Sequence, residues 1–170
     1  MIAARPGKGK LGAVIEVRRA RAEDWVAVES LLAQLGRPDV RGTADEGRAR
    51  DLFLEYLDRP DVVALVAEDA GHVIGFCDVE FRPRLNFTTL QAWIPDLIVA
   101  EDARSRGAGA ALLQQAELVA RERDCWSITL ESANWRTRAH AFYVREGWLD
   151  TGHSFVKVLA GGTDWPPSPR

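Results

Sequence analysis

Cysteine is scarce in this sequence. The 170 residues include two cysteines, Cys77 and Cys125, and neither belongs to a C-x-x-C motif or lies near a second cluster of His and Cys. A disulfide framework or a zinc site needs several such residues at close spacing. The sequence therefore predicts neither a disulfide scaffold nor a metal site.

Long hydrophobic runs are also missing. The longest stretch without a charged residue covers eleven positions, 85–95, whereas a transmembrane helix needs about 20 apolar residues. The apolar run at 11–15 is shorter than the roughly 7–15 residues of a secretory signal core. We therefore expect a cytoplasmic protein with no membrane partner.

An excess of positive charge is the third absence. Lys and Arg number 22 against 25 Asp and Glu, which gives a formal net charge of −3. No overall positive field is available to hold a phosphate backbone, so nucleic acid is not an expected partner. The length suits one domain, which we place at residues 14–159 between flexible tails at 1–13 and 160–170.

Apolar residues recur at strand or helix spacing throughout the expected domain. The predicted strands cluster early in the chain and the helices are interleaved with strands later, which favours a mixed α/β (α+β) fold. The predicted helices cover 25–35, 43–57, 107–123 and 135–145, and the predicted strands cover 15–18, 62–67, 73–81, 90–99, 127–130 and 154–159.

The most informative segment runs from Leu97 to Ala110. An apolar run, a polar turn and two glycines, Gly107 and Gly109, come before an amphipathic helix. Unpaired N–H groups and the helix dipole meet at such a point and favour a bound phosphate. A Walker loop is excluded because Ala110 follows where a lysine is required. The Rossmann fingerprint fits poorly because Leu112 stands at the third glycine position.

Arg104, Gly107 and Gly109 satisfy the pattern Arg/Gln-x-x-Gly-x-Gly/Ala directly after a strand. This pattern resembles the acetyl-CoA loop of the GNAT superfamily of N-acetyltransferases. The later part of the chain carries further residues in the order expected for that family, and the resemblance covers about 15–159. Those residues are Asn134, Ala139, Phe142, Tyr143, Gly147 and Trp148.

The resemblance implies a central mixed, mostly antiparallel sheet that is splayed between its fourth and fifth strands, with helices on both faces. It also implies acetyl-CoA as co-substrate, with the pyrophosphate on backbone N–H groups of the glycine loop and the pantetheine arm along the preceding strand. Tyr143 would then point at the thioester sulfur as the general acid. The implied cofactor-binding residues are Leu97, Ile98, Val99, Arg104, Ser105, Arg106, Gly107, Ala108, Gly109, Ala110, Asn134 and Phe142.

The expected general base is where the chain departs from the family pattern. Many relatives carry a Glu four residues ahead of the position of Val99, and Pro95 stands there. Glu80, which shares a strand face with Asp78, ranks slightly above Asp96 as the replacement. Asp96 would face the other way in a regular strand unless a bulge re-aims it. A water relay is open to either carboxylate.

The leading hypothesis is direct acetyl transfer from acetyl-CoA to a primary amine of a small molecule. The alternatives are a non-catalytic acyl-CoA-binding or sensor domain, which the loss of the base at Pro95 would permit, and acyl transfer to a protein N-terminus. The late segment at 155–157 could support a homodimer, as in many relatives of the resembled family.

Overall fold

The computed structural model describes residues 15–85 and 87–157 of the chain. Most of the predicted domain falls within these ranges. The two predicted tails, at 1–13 and 160–170, lie outside the described residues.

Strands and helices follow the predicted order closely through residue 145. The helices are α1 (Trp25–Leu35), α2 (Glu46–Leu57), α3 (Ala108–Glu122) and α4 (Thr137–Arg145). The strands are β1 (Glu16–Arg19), β2 (Val62–Asp69), β3 (His72–Pro83), β4 (Leu90–Ile94), β5 (Leu97–Val99) and β6 (Ser127–Leu130). No helix in the described part of the chain has both the length and the apolar character needed to cross a bilayer.

The six strands form one sheet in the order β1-β2-β3-β4-β6, and β5 also pairs with β3. Every pairing is antiparallel except that of β4 with β6, which is parallel. The prediction of a mixed, mostly antiparallel sheet is therefore confirmed.

The predicted strand at 90–99 is interrupted at Pro95. On β3, Cys77 lies opposite Leu97 and Glu80 lies opposite Trp93, so three residue steps on β3 face four on the partner. One extra residue of this kind is a β-bulge, and a proline fits there because it has no N–H for the ladder.

The bulge is also where the sheet opens. The parallel pairing of β4 with β6 reaches Ile94 and Leu130, and beyond that point β5 pairs with β3 alone within the described ranges. This opening is the predicted splay between the strand at 90–99 and the next strand along the sheet.

Helices pack on both faces of the sheet, as predicted. Side chains of β3 alternate between the two sides because successive Cβ atoms of a strand point to opposite faces. Cys77 and Val79 belong to the core that contains α3, whereas Phe76 belongs to the core beneath α1 and α2. Asp78 and Glu80 consequently share the face of Phe76.

The C-terminal end of α1 is directed toward the opening by a glycine. Gly36 has φ +98°, and the Arg37 N–H donates a hydrogen bond to the Leu32 carbonyl. This arrangement is a Schellman ending, which glycine adopts readily because it has no Cβ. It brings Arg37 to the Pro95 carbonyl and the Asp96 carboxylate.

The prediction of a strand at 154–159 is wrong for the residues that the structure describes. Residues 154–157 have no strand geometry, and the remaining two positions lie outside the described ranges. The pattern suggested a strand because Phe155 and Val156 are apolar, but their side chains are 92% and 63% exposed. Without a described neighbouring strand to pair with, these residues bury little apolar surface.

Replacement of Gly75 by Ala should destabilise the fold. A Cβ at Gly75 would lie 3.0 Å from Leu112 Cδ1 and 3.2 Å from the Ile98 carbonyl oxygen. We expect Gly75→Ala to lower the free energy of unfolding by about 1–3 kcal/mol, as overpacking of a core does. Gly47→Ala is the control, because a Cβ there meets nothing within 4 Å. It should stabilise α2 by about 0.5–1 kcal/mol. Urea unfolding of both variants measures the difference, and equal effects would contradict the packing at Gly75.

Candidate functional site

The loop before α3 exposes backbone donors. Ser105 has φ +65° and Gly107 has φ +91°, and no side chain caps the N-terminus of α3. The first N–H groups of a helix have no partner within the helix, and left-handed residues beside them form a concave group of donors. The loop can therefore hold an anion.

Two arginines of this loop are held by carboxylates. Arg106 Nη1 donates to Asp69 Oδ2 at 2.6 Å, which ties the loop to the end of β2. Arg104 Nη1 donates to Glu101 Oε1 at 3.2 Å. Both arginine residues are exposed. The backbone N–H groups are therefore the main donors for an anion, and the two side chains shape the loop.

Gly107 and Gly109 serve the loop in different ways. A Cβ on Gly107 would meet nothing within 4 Å, so its positive φ is what calls for glycine. A Cβ on Gly109 would lie 3.2 Å from Phe142 Cζ and 3.7 Å from Val99 Cγ2. The missing side chain at Gly109 thus lets α3, α4 and β5 meet at one point.

The strand β5 forms the second part of the site. Leu97, Ile98 and Val99 pair with β3 on one side, and no described strand pairs with their other side. An extended ligand could add to such an edge through main-chain hydrogen bonds. Asn134 is exposed and lies in the turn between β6 and α4, where the Arg136 N–H donates to the Ala133 carbonyl.

Tyr143 lies on α4 against the core that contains Cys77. Its ring contacts those of Phe142 and Trp148, with centroid distances of 5.3 and 6.2 Å. Burial, followed by the Cys77 thiol, raises the pKa of Tyr143 to about 12, although the Arg136 guanidinium acts in the opposite direction. Within residues 15–85 and 87–157 its hydroxyl makes no hydrogen bond, so it is a neutral donor that remains available to a ligand.

Glu80 is surrounded by hydrogen-bond donors and positive charge. Arg82 Nη2 donates to Glu80 Oε2 at 2.8 Å, and Arg59 Nη1 lies 3.6 Å from Oε1. The Tyr56 hydroxyl lies 3.1 Å from the same Oε1 atom. The negative charge of Glu80 is therefore compensated locally.

Asp96 follows Pro95 in the bulge, and it is also paired. Arg37 Nε donates to Asp96 Oδ1 at 2.8 Å. The Asp96 N–H donates to Asp78 Oδ1 at 2.8 Å, and the Asp78 N–H donates to the Asp96 carbonyl at 3.2 Å. The bulge thus places Asp96 directly beside Asp78.

Asp78 is the most buried of the three carboxylates, at 4% exposure. Its Oδ2 accepts a hydrogen bond of 2.7 Å from the Tyr56 hydroxyl. Burial and the Asp96 carboxylate raise the pKa of Asp78 to about 7, although the hydrogen bonds from Tyr56 and the Asp96 N–H act in the opposite direction. Sequence reasoning named Asp78 only as sharing a strand face with Glu80, and it did not single out Tyr56. A single aspartate within the apolar part of β3 was the available signal.

The opening of the sheet brings these two groups of residues together from opposite faces. The glycine loop, the free side of β5 and Tyr143 lie on the α3 side, and the three carboxylates lie on the α1 and α2 side. Arg136 bridges the opening, because its guanidinium donates to the Leu35 carbonyl at the end of α1. In the described ranges no three His, Cys, Asp or Glu side chains are grouped as a metal ion would require.

The sequence profile of the Acetyltransferase (GNAT) family matches residues 25–148. An aminoalkylphosphonate N-acetyltransferase of Salmonella typhimurium is 30% identical over 146 residues, which are 86% of this chain and 92% of that protein.

Two solved structures share the fold. A putative acetyltransferase from Agrobacterium tumefaciens superposes with a TM-score of 0.75 at 22% identity, covering 85% of this chain and 99% of that one. A structure of AAC(6')-Iy with the bisubstrate analog CoA-S-monomethyl-acetylneamine has a TM-score of 0.72 at 17% identity, covering 87% and 99%. On the family match and the curated relative, the chain belongs to the GNAT family and is an N-acetyltransferase.

Proposed function

We propose that the protein transfers the acetyl group of acetyl-CoA directly to the primary amine of a small molecule, without an acyl-enzyme. The observation that supports this proposal is that three features meet at the opening of the sheet. These are the uncapped N-terminus of α3, the free side of β5 and the Tyr143 hydroxyl. Each matches one part of a thioester cofactor: an anionic pyrophosphate, an amide-containing arm and a sulfur atom.

In this proposal the CoA pyrophosphate binds the backbone N–H groups from Arg106 to Ala110. Ser105 and Gly107 set the curvature of the loop through their positive φ angles. The pantetheine amides pair with main-chain groups of Leu97 and Val99, and Ile98 belongs to the same strand segment. Phe142 and Asn134 line the α4 side of the arm, while Arg104 and Arg106, which are paired with Glu101 and Asp69, hold the shape of the loop.

The chemistry requires a neutral amine and a stabilised thiolate. A primary amine with a pKa of about 10.4 is mostly protonated at pH 7, so its proton must be removed before it attacks the thioester carbonyl. As the carbon–sulfur bond breaks, Tyr143 donates a hydrogen bond to the sulfur. Because the pKa of Tyr143 is about 12, complete transfer to a thiolate with a pKa of about 8.5 is unfavourable by about 5 kcal/mol. Tyr143 therefore stabilises the leaving thiolate mainly as a hydrogen-bond donor.

The acceptor should carry a negative group as well as its ammonium. Asp78, Glu80 and Asp96 face the side from which an ammonium would approach. Arg136 donates to a main-chain carbonyl and makes no ion pair with the described residues. It lies near enough to Tyr143 to influence the pKa of that hydroxyl. The relative from Salmonella typhimurium is named for aminoalkylphosphonates, and its name supports a small amine with an anionic group as the acceptor.

An acceptor screen tests this proposal. We expect thiol release from acetyl-CoA with aminoalkylphosphonates, and at least tenfold lower kcat/KM with alkylamines of the same length that lack the acidic group. Arg136→Gln should reduce that preference by lowering kcat/KM for the aminoalkylphosphonate more than for the plain alkylamine. CoA binding without turnover on any amine would indicate the sensor alternative, and turnover confined to peptide N-termini would indicate the protein-acceptor alternative.

Gly107→Ala should weaken CoA binding by about tenfold or more. A left-handed φ costs a non-glycine residue about 1–2 kcal/mol, so the loop would rotate its N–H donors away from the anion. Gly42→Ala is a matched control, since Gly42 has φ +70° and open space around it and lies outside the loop. Calorimetric titration with CoA should show a loss of CoA affinity for the Gly107 variant alone. Equal affinities for the two variants would contradict the loop assignment.

Tyr143→Phe should lower kcat by about 10²-fold or more, the range lost when one hydrogen-bond donor to a developing negative charge is removed. The ring would still pack against Phe142 and Trp148, so CoA affinity and the melting temperature should change little. Steady-state kinetics with saturating acceptor, together with a thermal melt, measures both quantities. An unchanged kcat would assign Tyr143 to packing only.

A further inference from the structure

Two of the three carboxylates near the opening are already neutralised by arginines. Arg82 and Arg59 lie against Glu80, and Arg37 pairs with Asp96. Asp78 differs from both, because it makes no ion pair within the described ranges. The groups bonded to its carboxylate are the Tyr56 hydroxyl and the Asp96 N–H. Asp78 is therefore the one carboxylate of the three that no arginine stabilises in its charged form, and it is the one that can accept a proton.

Within the described ranges, the Tyr56 hydroxyl is the only side-chain group that hydrogen-bonds the Asp78 carboxylate. Oδ1 is occupied by the Asp96 N–H at 2.8 Å, and Oδ2 is occupied by the Tyr56 hydroxyl at 2.7 Å. The carboxylate itself is almost completely buried, while Tyr56 is only partly buried. A substrate proton can thus reach Asp78 through the Tyr56 oxygen.

We propose that Tyr56 and Asp78 form the proton relay that deprotonates the acceptor amine, an inference that rests on the proposed function. The amine proton moves to Tyr56 Oη while the hydroxyl proton of Tyr56 moves to Asp78 Oδ2. The amine nitrogen keeps its electron pair and attacks the thioester carbonyl. Tyr56 ends the step as a neutral hydroxyl, and Asp78 holds the additional proton. After the product leaves, the proton returns by the same hydroxyl to solvent.

The electrostatics agree with this relay. A carboxylate with a pKa of about 7 holds a proton roughly a thousand times more tightly than an ordinary aspartate does. Burial and both neighbouring carboxylates raise the pKa of Tyr56 far above its ordinary value. Tyr56 is therefore unable to persist as a phenolate, and the two proton transfers must be concerted. The charged or titratable groups that face the relay are Glu80 on β3 with its partners Arg82 and Arg59, and Asp96 in the bulge with its partner Arg37. Arg59 also lies over the Tyr56 ring, 5.3 Å from its centroid.

The sign of the pH dependence follows from these roles. Asp78 must be ionised to take a proton, so kcat/KM for the acceptor should fall as the pH drops below about 7. Asp78→Asn should remove this limb between pH 6 and 8, and it should lower kcat/KM at pH 8 by about 10²-fold or more. Tyr56→Phe keeps the ring and the carboxylate but breaks the route, so it should cause a similar loss. Neither variant should change CoA affinity by more than a few-fold.

Glu55→Gln is the matched control. Glu55 is exposed, neighbours Tyr56 on α2 and pairs with Arg48 at the surface. This variant should retain the wild-type rate and pH profile. If Asp78→Asn only lowers the melting temperature and leaves the acidic limb in place, Asp78 is structural and the relay is overturned. If Glu80→Gln removes the limb instead, the proton goes to Glu80 and the relay is again overturned.

Two readouts separate this proposal from the proposed function. Carbon-13 NMR of aspartate-labelled protein should show one carboxyl that titrates near pH 7 and disappears in Asp78→Asn, whether or not any amine is acetylated. Should Asp78→Asn fold poorly, Tyr56→Phe still tests the route through kcat/KM across pH. Acetylation of amines with an unchanged pH profile in Tyr56→Phe would overturn the relay alone. A titrating Asp78 in a protein that acetylates no amine would overturn the proposed function, and the relay with it.

Discussion

The extra residue at Pro95 and Asp96 is the constraint on which the rest of the site depends. It interrupts the ladder between β3 and the neighbouring strand, so that β6 follows β4 only as far as Ile94. The free side of β5 exists because of that break. The same bulge turns the Asp96 N–H toward Asp78. One local irregularity thus creates both an edge for an extended ligand and a pair of adjacent carboxylates, of which Asp78 is buried.

In the proposed reaction, the two faces of the sheet supply different groups. The α3 face supplies backbone donors and the Tyr143 hydroxyl, which suit a cofactor with phosphate and sulfur groups. The α1 and α2 face supplies Asp78 and Tyr56, which suit an amine that must lose a proton. Arg136 connects α4 to the end of α1 across the opening. A thioester carbonyl held in the opening would therefore be reached by the leaving-group donor from one side and by the nucleophile from the other.

The sequence predicted the local geometry of the proposed cofactor side better than that of the proposed acceptor side, for a physical reason. The strand, the loop and the start of α3 are adjacent in sequence, so Gly107 and the helix start could be predicted from local rules. The strand period also placed Asp78 and Glu80 on one face. Their different charge compensation depends on Tyr56 and Arg59, which the packing of α2 against the sheet brings near, and on the bulge at Asp96. The contact of Gly109 with Phe142 could likewise not be predicted from the sequence, because it joins two helices far apart in sequence.

Burial of Asp78 links the proposed chemistry to stability. Its folded pKa of about 7 lies above the ordinary value of about 3.9, so its contribution favours folding below pH 4 and is lost as the pH rises through 7. The loss is about 4 kcal/mol when Asp78 is fully ionised. The folded protein is therefore destabilised at the pH at which Asp78 must be ionised to act as a base. A bound acceptor ammonium offsets this destabilisation, first through its positive charge and then by transferring a proton to Asp78 through Tyr56. Substrate binding and proton removal are therefore favoured by the same buried charge.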